Sequence, residues 1–300
     1  MVLTWILAIL PGLILWSFLE KKLLRVTEYS IPAGHHESAP EDFKLVLLAD
    51  LHNNTFGRRN AGLIKKIREL KPDAVVVAGD LITKQQLCIP GNAYALLDEL
   101  AKDYPVYYGY GNHELHLSEL PEEQGEQGKS DHGRKAKYES WLKFVQVLKS
   151  KGVHFLPDQS AGLKHGKASI RFVGLNVGRE AYSGKELFPM DNNYLKKHIG
   201  QGHPEEYQIL IAHNPLYFQN YIKWGADLIL AGHLHGGLVR LPHFGGIISP
   251  QYKLFPKYDS GVFTENNRHM VVSRGLGSHS VMLRLFNRPE LVFIRIKGQV

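Results

Sequence analysis

An α/β fold, with two packed sheets and helices outside them, is what this 300-residue sequence predicts. Three observations carry the prediction. The first half alternates short apolar runs with segments whose apolar residues recur every three or four positions, the mark of strand followed by helix. The second half is rich in strand-like runs joined by glycine-containing turns such as Gly245-Gly246. Five of these runs stop at a carboxylate, an amide or an imidazole, and sheets of this class gather ligands beyond the carboxyl ends of their strands.

Residues 44–50, KLVLLAD, read as a buried strand ending at Asp50. The loop LHNNTFG follows, then a helix with Leu63, Ile64, Ile67 and Leu70 on one face. Residues 74–80, AVVVAGD, give a second strand ending at Asp80, and the next helix carries Tyr94, Leu96, Leu97 and Leu100. A third strand and its exit turn occupy 106–113, VYYGYGNH. Residues 119–138 are polar and contain glycine, as a surface loop does, and a helix is expected over 141–149. The strand at 207–213 ends at His213, and DLILAGHLH at 227–235 ends at His233 and His235. Strands dominate beyond, at 270–273 and 291–296.

A hydrophobic content of 44% with 22% charged residues fits an ordinary globular chain. The single cysteine, Cys88, excludes an intramolecular disulfide and a thiolate metal cluster. The net charge of +7 is scattered without a long Lys/Arg run, so no dedicated nucleic-acid surface is indicated. An anionic membrane surface or a phosphate-bearing substrate suits the bias.

Residues 2–19 carry no charge, and 18 residues at ~1.5 Å per residue span roughly 27 Å, enough for a thin bilayer. Pro11 and Gly12 are tolerated in membrane helices, and Trp5 and Trp16 lie near the two ends of the run, where interfacial aromatics are favoured. No basic leader or small-residue cleavage site marks a signal peptide. The expectation is a transmembrane anchor over 1–25, a linker over 26–43 broken by Pro32, Gly34 and Pro40, and one domain over 44–300. Lys21, Lys22 and Arg25 follow the segment, which predicts a single-pass protein with its domain in the cytoplasm and the lipid bilayer as partner. His35 and His36, in the linker, are expected to be solvated.

Singly, each strand-end residue is a weak signal, since a lone aspartate caps turns and a lone histidine is often a satisfied core group. As a set they point to metal. Asp50-x-His52, Gly79-Asp80, Gly111-Asn112-His113-Glu114, His213 and Gly232-His233-x-His235 supply more donors than one tetrahedral ion needs. Imidazoles and carboxylates suit Mn, Fe, Zn or Co, with Mn placed first here, and the number of donors suits two adjacent ions.

In order and spacing, DLH, GD, GNHE, AHNP and GHLHGG resemble the five blocks of the calcineurin-like metallophosphoesterases, from about Lys44 to the C-terminus. DLHNNTFG, AHNPLYF, GHLHGG and LFNRPEL are similar to the membrane-associated branch with YkuE- and YaeI-like phosphodiesterases. The resemblance implies a two-sheet αββα sandwich. It implies that Asp50, His52 and His235 hold one metal, that Asn112, His213 and His233 hold the other, and that Asp80 bridges them. His113 would stay off the metals and donate a proton to the leaving group. Glu114 and Thr83 stand where the family often has aspartate, and neither is a ligand position.

The expected function is a phosphodiesterase or pyrophosphatase acting on a lipid-linked phosphate, with Asn54, Arg58 and Arg274 as candidate substrate contacts. A phosphatase or nuclease of soluble phosphoesters is the rival enzyme reading. A non-catalytic binding module of the same fold should have lost ligands, and none of the seven is missing.

Overall fold

The computed structural model describes residues 2–34, 38–89, 91–120, 132–183, 188–241, 244–249, 253–278 and 284–298, with the backbone alone at 2–10, 132 and 183. His35 and His36 lie outside the described residues.

The chain opens with α1 (Val2–Glu20), β1 (Arg25–Pro32) and β2 (Asp42–Leu48). Strand and helix then alternate through α2 (Ala61–Leu70), β3 (Ala74–Ala78), α3 (Asn92–Leu100), β4 (Val106–Gly109) and α4 (Asn112–Ser118). Next come α5 (His132–Ser150), β5 (Val153–Phe155), β6 (Ser160–His165), β7 (Ala168–Leu175), α6 (Glu180–Ser183) and α7 (Asn192–Ile199). The last part holds β8 (Tyr207–Ala212), α8 (Phe218–Trp224), β9 (Leu228–Ala231), β10 (Arg240–Leu241), β11 (Gly245–Gly246), β12 (Gly261–Glu265), β13 (Arg268–Val272) and β14 (Glu290–Lys297).

Two six-stranded sheets result, ordered β1-β14-β2-β3-β4-β5 and β12-β13-β9-β8-β7-β6, with β10 and β11 as a small separate pair. The two-residue period of each strand sorts its side chains between layers. In β2, Leu45 and Leu47 face the other sheet in a core with Val76, Phe172, Ile209, Ile211 and Leu230. Val46 and Leu48 face outward, onto Leu63 and Ile67 of α2, Leu96 and Leu97 of α3, and Trp141 and Phe144 of α5. On the far side, Leu210 and Ile229 pack under Leu195 of α7 and Phe218, Tyr221 and Trp224 of α8. Each such buried Leu, Ile or Phe contributes about 1.5–3 kcal/mol relative to exposure. The layering is helix, sheet, sheet, helix, as expected.

Three expectations are corrected. Residues 26–43, read as a linker, carry most of β1, which runs parallel to β14 from Arg25 opposite Glu290 to Pro32 opposite Lys297. As an edge strand it tolerates the terminal proline that marked it as a connector. The helix expected at 141–149 begins at His132, because the preceding residues are mostly good helix formers.

The third correction concerns the membrane. Among the described residues, no helix is long and apolar enough to cross a membrane, and the single-pass placement with its cytoplasmic domain is withdrawn. The uncharged run forms α1 over Val2–Glu20. Its last turn folds against the domain, with Ser17 and Glu20 each 2% exposed.

Candidate metal centre

The strand ends deliver the site. Asp50 follows β2 by two residues, Asp80 follows β3 by two, Asn112 and His113 open α4 beyond β4, His213 follows β8 directly, and His233 and His235 follow β9. Asp50, His52, Asp80, His233 and His235 all have φ between 48° and 74°, the left-handed region. Each such residue costs on the order of 1–2 kcal/mol. That strain persists only where the surroundings fix it, as at ligand sites.

Two glycines permit the approach of these loops. A Cβ on Gly79, itself at φ +83°, would lie 2.5 Å from the Gly111 nitrogen, and one on Gly111 would lie 2.2 Å from Asp80 Oδ1. Without them the β3 and β4 exits could not touch.

The ligand atoms converge. His52 Nε2 lies 3.2 Å from His235 Nε2, and His235 Nε2 lies 3.3 Å from Asp50 Oδ1. His213 Nε2 is 3.3 Å from Asp80 Oδ2 and 3.7 Å from Asp50 Oδ1. Ligand atoms that share one ion at about 2.1 Å stand roughly 3.0–3.4 Å apart. Three overlapping groups satisfy metal-binding proximity: Asp50 with His52 and His235, His52 with Asp80 and His113, and Asp50 with Asp80 and His213.

Outer contacts orient the rings. His213 Nδ1 donates to Ala78 O at 2.6 Å and His235 Nδ1 to Gly277 O at 3.2 Å. Both rings therefore turn the Nε2 lone pair inward, as ligating histidines do. His113 differs. Its Nδ1 accepts from the Lys84 backbone N–H at 3.0 Å, so the neutral ring carries its proton on Nε2, 3.9 Å from Asp80 Oδ2. Asn112 Oδ1 is buried and makes no hydrogen bond among the described residues. The ring of His233 lies 5.2 Å from that of His213 and 4.7 Å from Tyr182, edge to face.

The electrostatics call for cations. Burial drives the Asp50 carboxyl up to about 7. Burial also opposes ionisation of Asp80, yet His213 and His113 hold its carboxyl well below the usual range. Burial penalises the His213 imidazolium, but Asp80 and Asp50 override it and push the ring up to about 10. Protons stand in here for the positive charge that divalent ions would supply. Asp50, His52, Asp80, His213 and His235 fit a metal centre in donor type and spacing, and the rings of His213 and His235 fit it in orientation.

The three candidate substrate contacts fall outside this cluster. Asn54 donates to Leu276 O at 3.0 Å. Arg58 lines a basic surface groove with Arg59, Lys65 and Arg68. Arg274 places its Nε 3.6 Å from the buried Glu290 carboxylate.

Sequence reasoning passed over two supports. Glu114, fully buried, accepts from the backbone N–H groups of Asp80 at 2.8 Å and Gly111 at 2.9 Å, and from the Tyr108 hydroxyl at 2.7 Å. Its position three residues into α4, with a bond back to the helix N-cap, is a legible capping signal. Arg284, also buried, donates to a group of backbone carbonyls behind His235 and carries no motif.

The family model described as calcineurin-like phosphoesterase matches residues 43–237. The uncharacterized metallophosphoesterase YkuE of Bacillus subtilis is 26% identical over 291 residues, covering 94% of this chain and 88% of that protein. An uncharacterized metallophosphoesterase of Aquifex aeolicus is 26% identical over 292 residues, 95% of this chain and 96% of that one. Phosphodiesterase YaeI of Escherichia coli is 26% identical over 258 residues, 85% and 82% of the two chains.

Proposed function

Since the chain belongs to the calcineurin-like phosphoesterases, a family of metal-dependent phosphoric ester hydrolases, we propose that it cleaves phosphodiester or pyrophosphate bonds at a two-ion centre. The observation that carries this reading is the meeting of Asp50, His52, Asp80, His213 and His235, drawn from four strand ends, with neighbouring ligand atoms 3.2–4.0 Å apart.

Asp50, His52 and His235 would hold one cation, and Asn112, His213 and His233 the other, with Asp80 available to both. Imidazole and carboxylate donors suit Mn, Fe, Zn or Co. Bound there, two such ions would neutralise phosphate oxygens and lower the pKa of a water toward neutral pH. The chain does the rest. His113 is held by the Lys84 N–H so that its Nε2–H faces the site, where it can donate a hydrogen bond to the departing oxygen as charge develops there. Asp80 Oδ1 accepts from the His113 backbone N–H at 2.9 Å, which fixes His113 relative to the other site residues.

The substrate we favour joins a phosphate to an apolar group. Leu15, Phe18 and Leu19 of α1 and the neighbouring Phe286 are all exposed by more than half, close to the loop that backs His235. YaeI, named a phosphodiesterase, supports the diester class.

The test compares bis-p-nitrophenyl phosphate, p-nitrophenyl phosphate, DNA and a UDP-linked lipid, with Mn(II) and with EDTA. Hydrolysis of the diester and the UDP-lipid above the monoester, abolished by EDTA, is expected. Preference for the monoester or for DNA overturns the substrate class, and hydrolysis undiminished by EDTA overturns the metal reading.

A further inference from the structure

The last turn of α1 is connected to the metal centre through an unbroken series of buried polar contacts. Ser17 and Glu20 end a helix that is otherwise apolar apart from Thr4, and a hydroxyl and a carboxylate so buried are costly unless bonded. Both bond to one short stretch. Ser17 Oγ accepts from the Arg284 backbone N–H at 2.9 Å, and the Glu20 carboxylate accepts from that of Phe286 at 2.8 Å.

That stretch in turn grips the His235 loop. The Arg284 guanidinium, 2% exposed with its residue, donates to the carbonyls of Arg274 at 2.8 Å, Gly275 at 3.3 Å and Gly277 at 2.5 Å. The Gly277 oxygen is also the acceptor for His235 Nδ1, and Arg284 Nη2 lies 3.5 Å from that nitrogen. Asn287 Nδ2 donates to the carbonyls of His235 and Gly237, each at 2.6 Å. The His235 ring and backbone are thus held by two residues whose own stretch of chain is held by α1.

We propose that α1 is an outer brace of the metal centre: seating of its last turn and cation binding by Asp50, His52 and His235 are thermodynamically linked, with Arg284 as the positioning residue between them. The proposal rests on the two-ion reading above. Partners that orient a metal-ligating histidine govern affinity, and linkage makes the effect reciprocal, so the cation also seats the helix. The linkage concerns one half of the site. His213 hangs from Ala78 O and has no contact with α1 among the described residues.

Full-length metal-free protein is titrated with Mn(II) by equilibrium dialysis, and amide exchange over residues 11–20 is followed with and without the ion. Wild type should bind two Mn(II), and the ion should slow exchange over 11–20. That slowing should vanish in His235→Ala and persist in His213→Ala. Ser17→Ala/Glu20→Gln should bind one Mn(II) as wild type and the other about tenfold more weakly. Arg284→Lys, which keeps the charge but not the fork, should weaken the same ion. The proposal is overturned if the double variant loses thermal stability yet binds both ions normally, or if exchange over 11–20 ignores Mn(II). A wild type that binds no Mn(II) removes the two-ion reading itself and the linkage with it.

Discussion

The two sides of the metal centre are braced by buried charges of opposite sign. On the Asp80 side, Glu114 collects backbone N–H groups, from Asp80 and Gly111, with the Tyr108 hydroxyl as a third donor. On the His235 side, Arg284 collects backbone C=O groups, from Arg274, Gly275 and Gly277. A loop that ends a strand leaves both kinds of group unpaired, and each must be satisfied if it is buried. The difference lies in reach. Glu114 is local, one helical turn from Asn112 and His113 in the chain. Arg284 is remote from His235 in sequence and brings α1 with it through Ser17. One side of the site is therefore self-supporting, and the other depends on the far end of the chain.

Asp80 is braced on the Glu114 side but is the ligand that both ions would share, so Asp80→Ala gives the largest effect. Both ions are lost and activity falls to background, read by metal analysis and turnover together. A variant that keeps two ions would mean that the sides do not share a ligand. His113→Ala should come next, with turnover down about 10² to 10⁴-fold while both ions remain bound. Retention of full activity removes His113 from its role at the departing oxygen.

Glu114→Ala should weaken cation binding about 10- to 100-fold on the Asp80 side and destabilise the fold, since two buried N–H groups lose their acceptor at about 1–3 kcal/mol each. Glu114→Gln keeps an oxygen toward them and should lie near wild type. Equal loss in both variants would show that the charge, and not the acceptor geometry, is what matters.

The smallest effect is a pH dependence of the metal-free protein, read by thermal melting. Burial raises the Asp50 and Glu114 carboxyls, each to about 7, and Asp80 and Asp50 raise His213 to about 10 against its burial. All three hold protons more tightly folded than unfolded. Their contribution is complete below the unfolded values and is lost as pH rises through the folded ones. The Asp80 carboxyl, held low, acts only below this window. Burial holds the His235 and His269 rings below their ordinary value, which opposes this trend at lower pH, so the melting temperature without metal should fall between about pH 7 and about pH 10. Divalent ions need deprotonated ligands and should oppose that fall. A metal-free midpoint that rises with pH contradicts this electrostatic account.

Much of the site was legible because its residues punctuate apolar runs. Asp50, Asp80, His213 and His233 each close a stretch whose composition already marks a buried strand. The layering was legible for the same reason. The strand β1 was not: its side chains are mostly exposed, it ends in proline, and its partner β14 lies at the other end of the chain. The fate of α1 was hidden too. The contacts that seat its last turn, Ser17 and Glu20 with residues 284–286, have no periodic signature. Arg284 shares that difficulty, since a buried arginine that serves carbonyls leaves no spacing to read.

The central claim is a pair of ions held by separable halves of one site. Its most direct test is the count of Mn(II) per chain in wild type, His213→Ala and His235→Ala after reconstitution and gel filtration. The account predicts two, one and one, with the two variants retaining different ions. A wild-type count of one or none, or two ions kept in either variant, contradicts it.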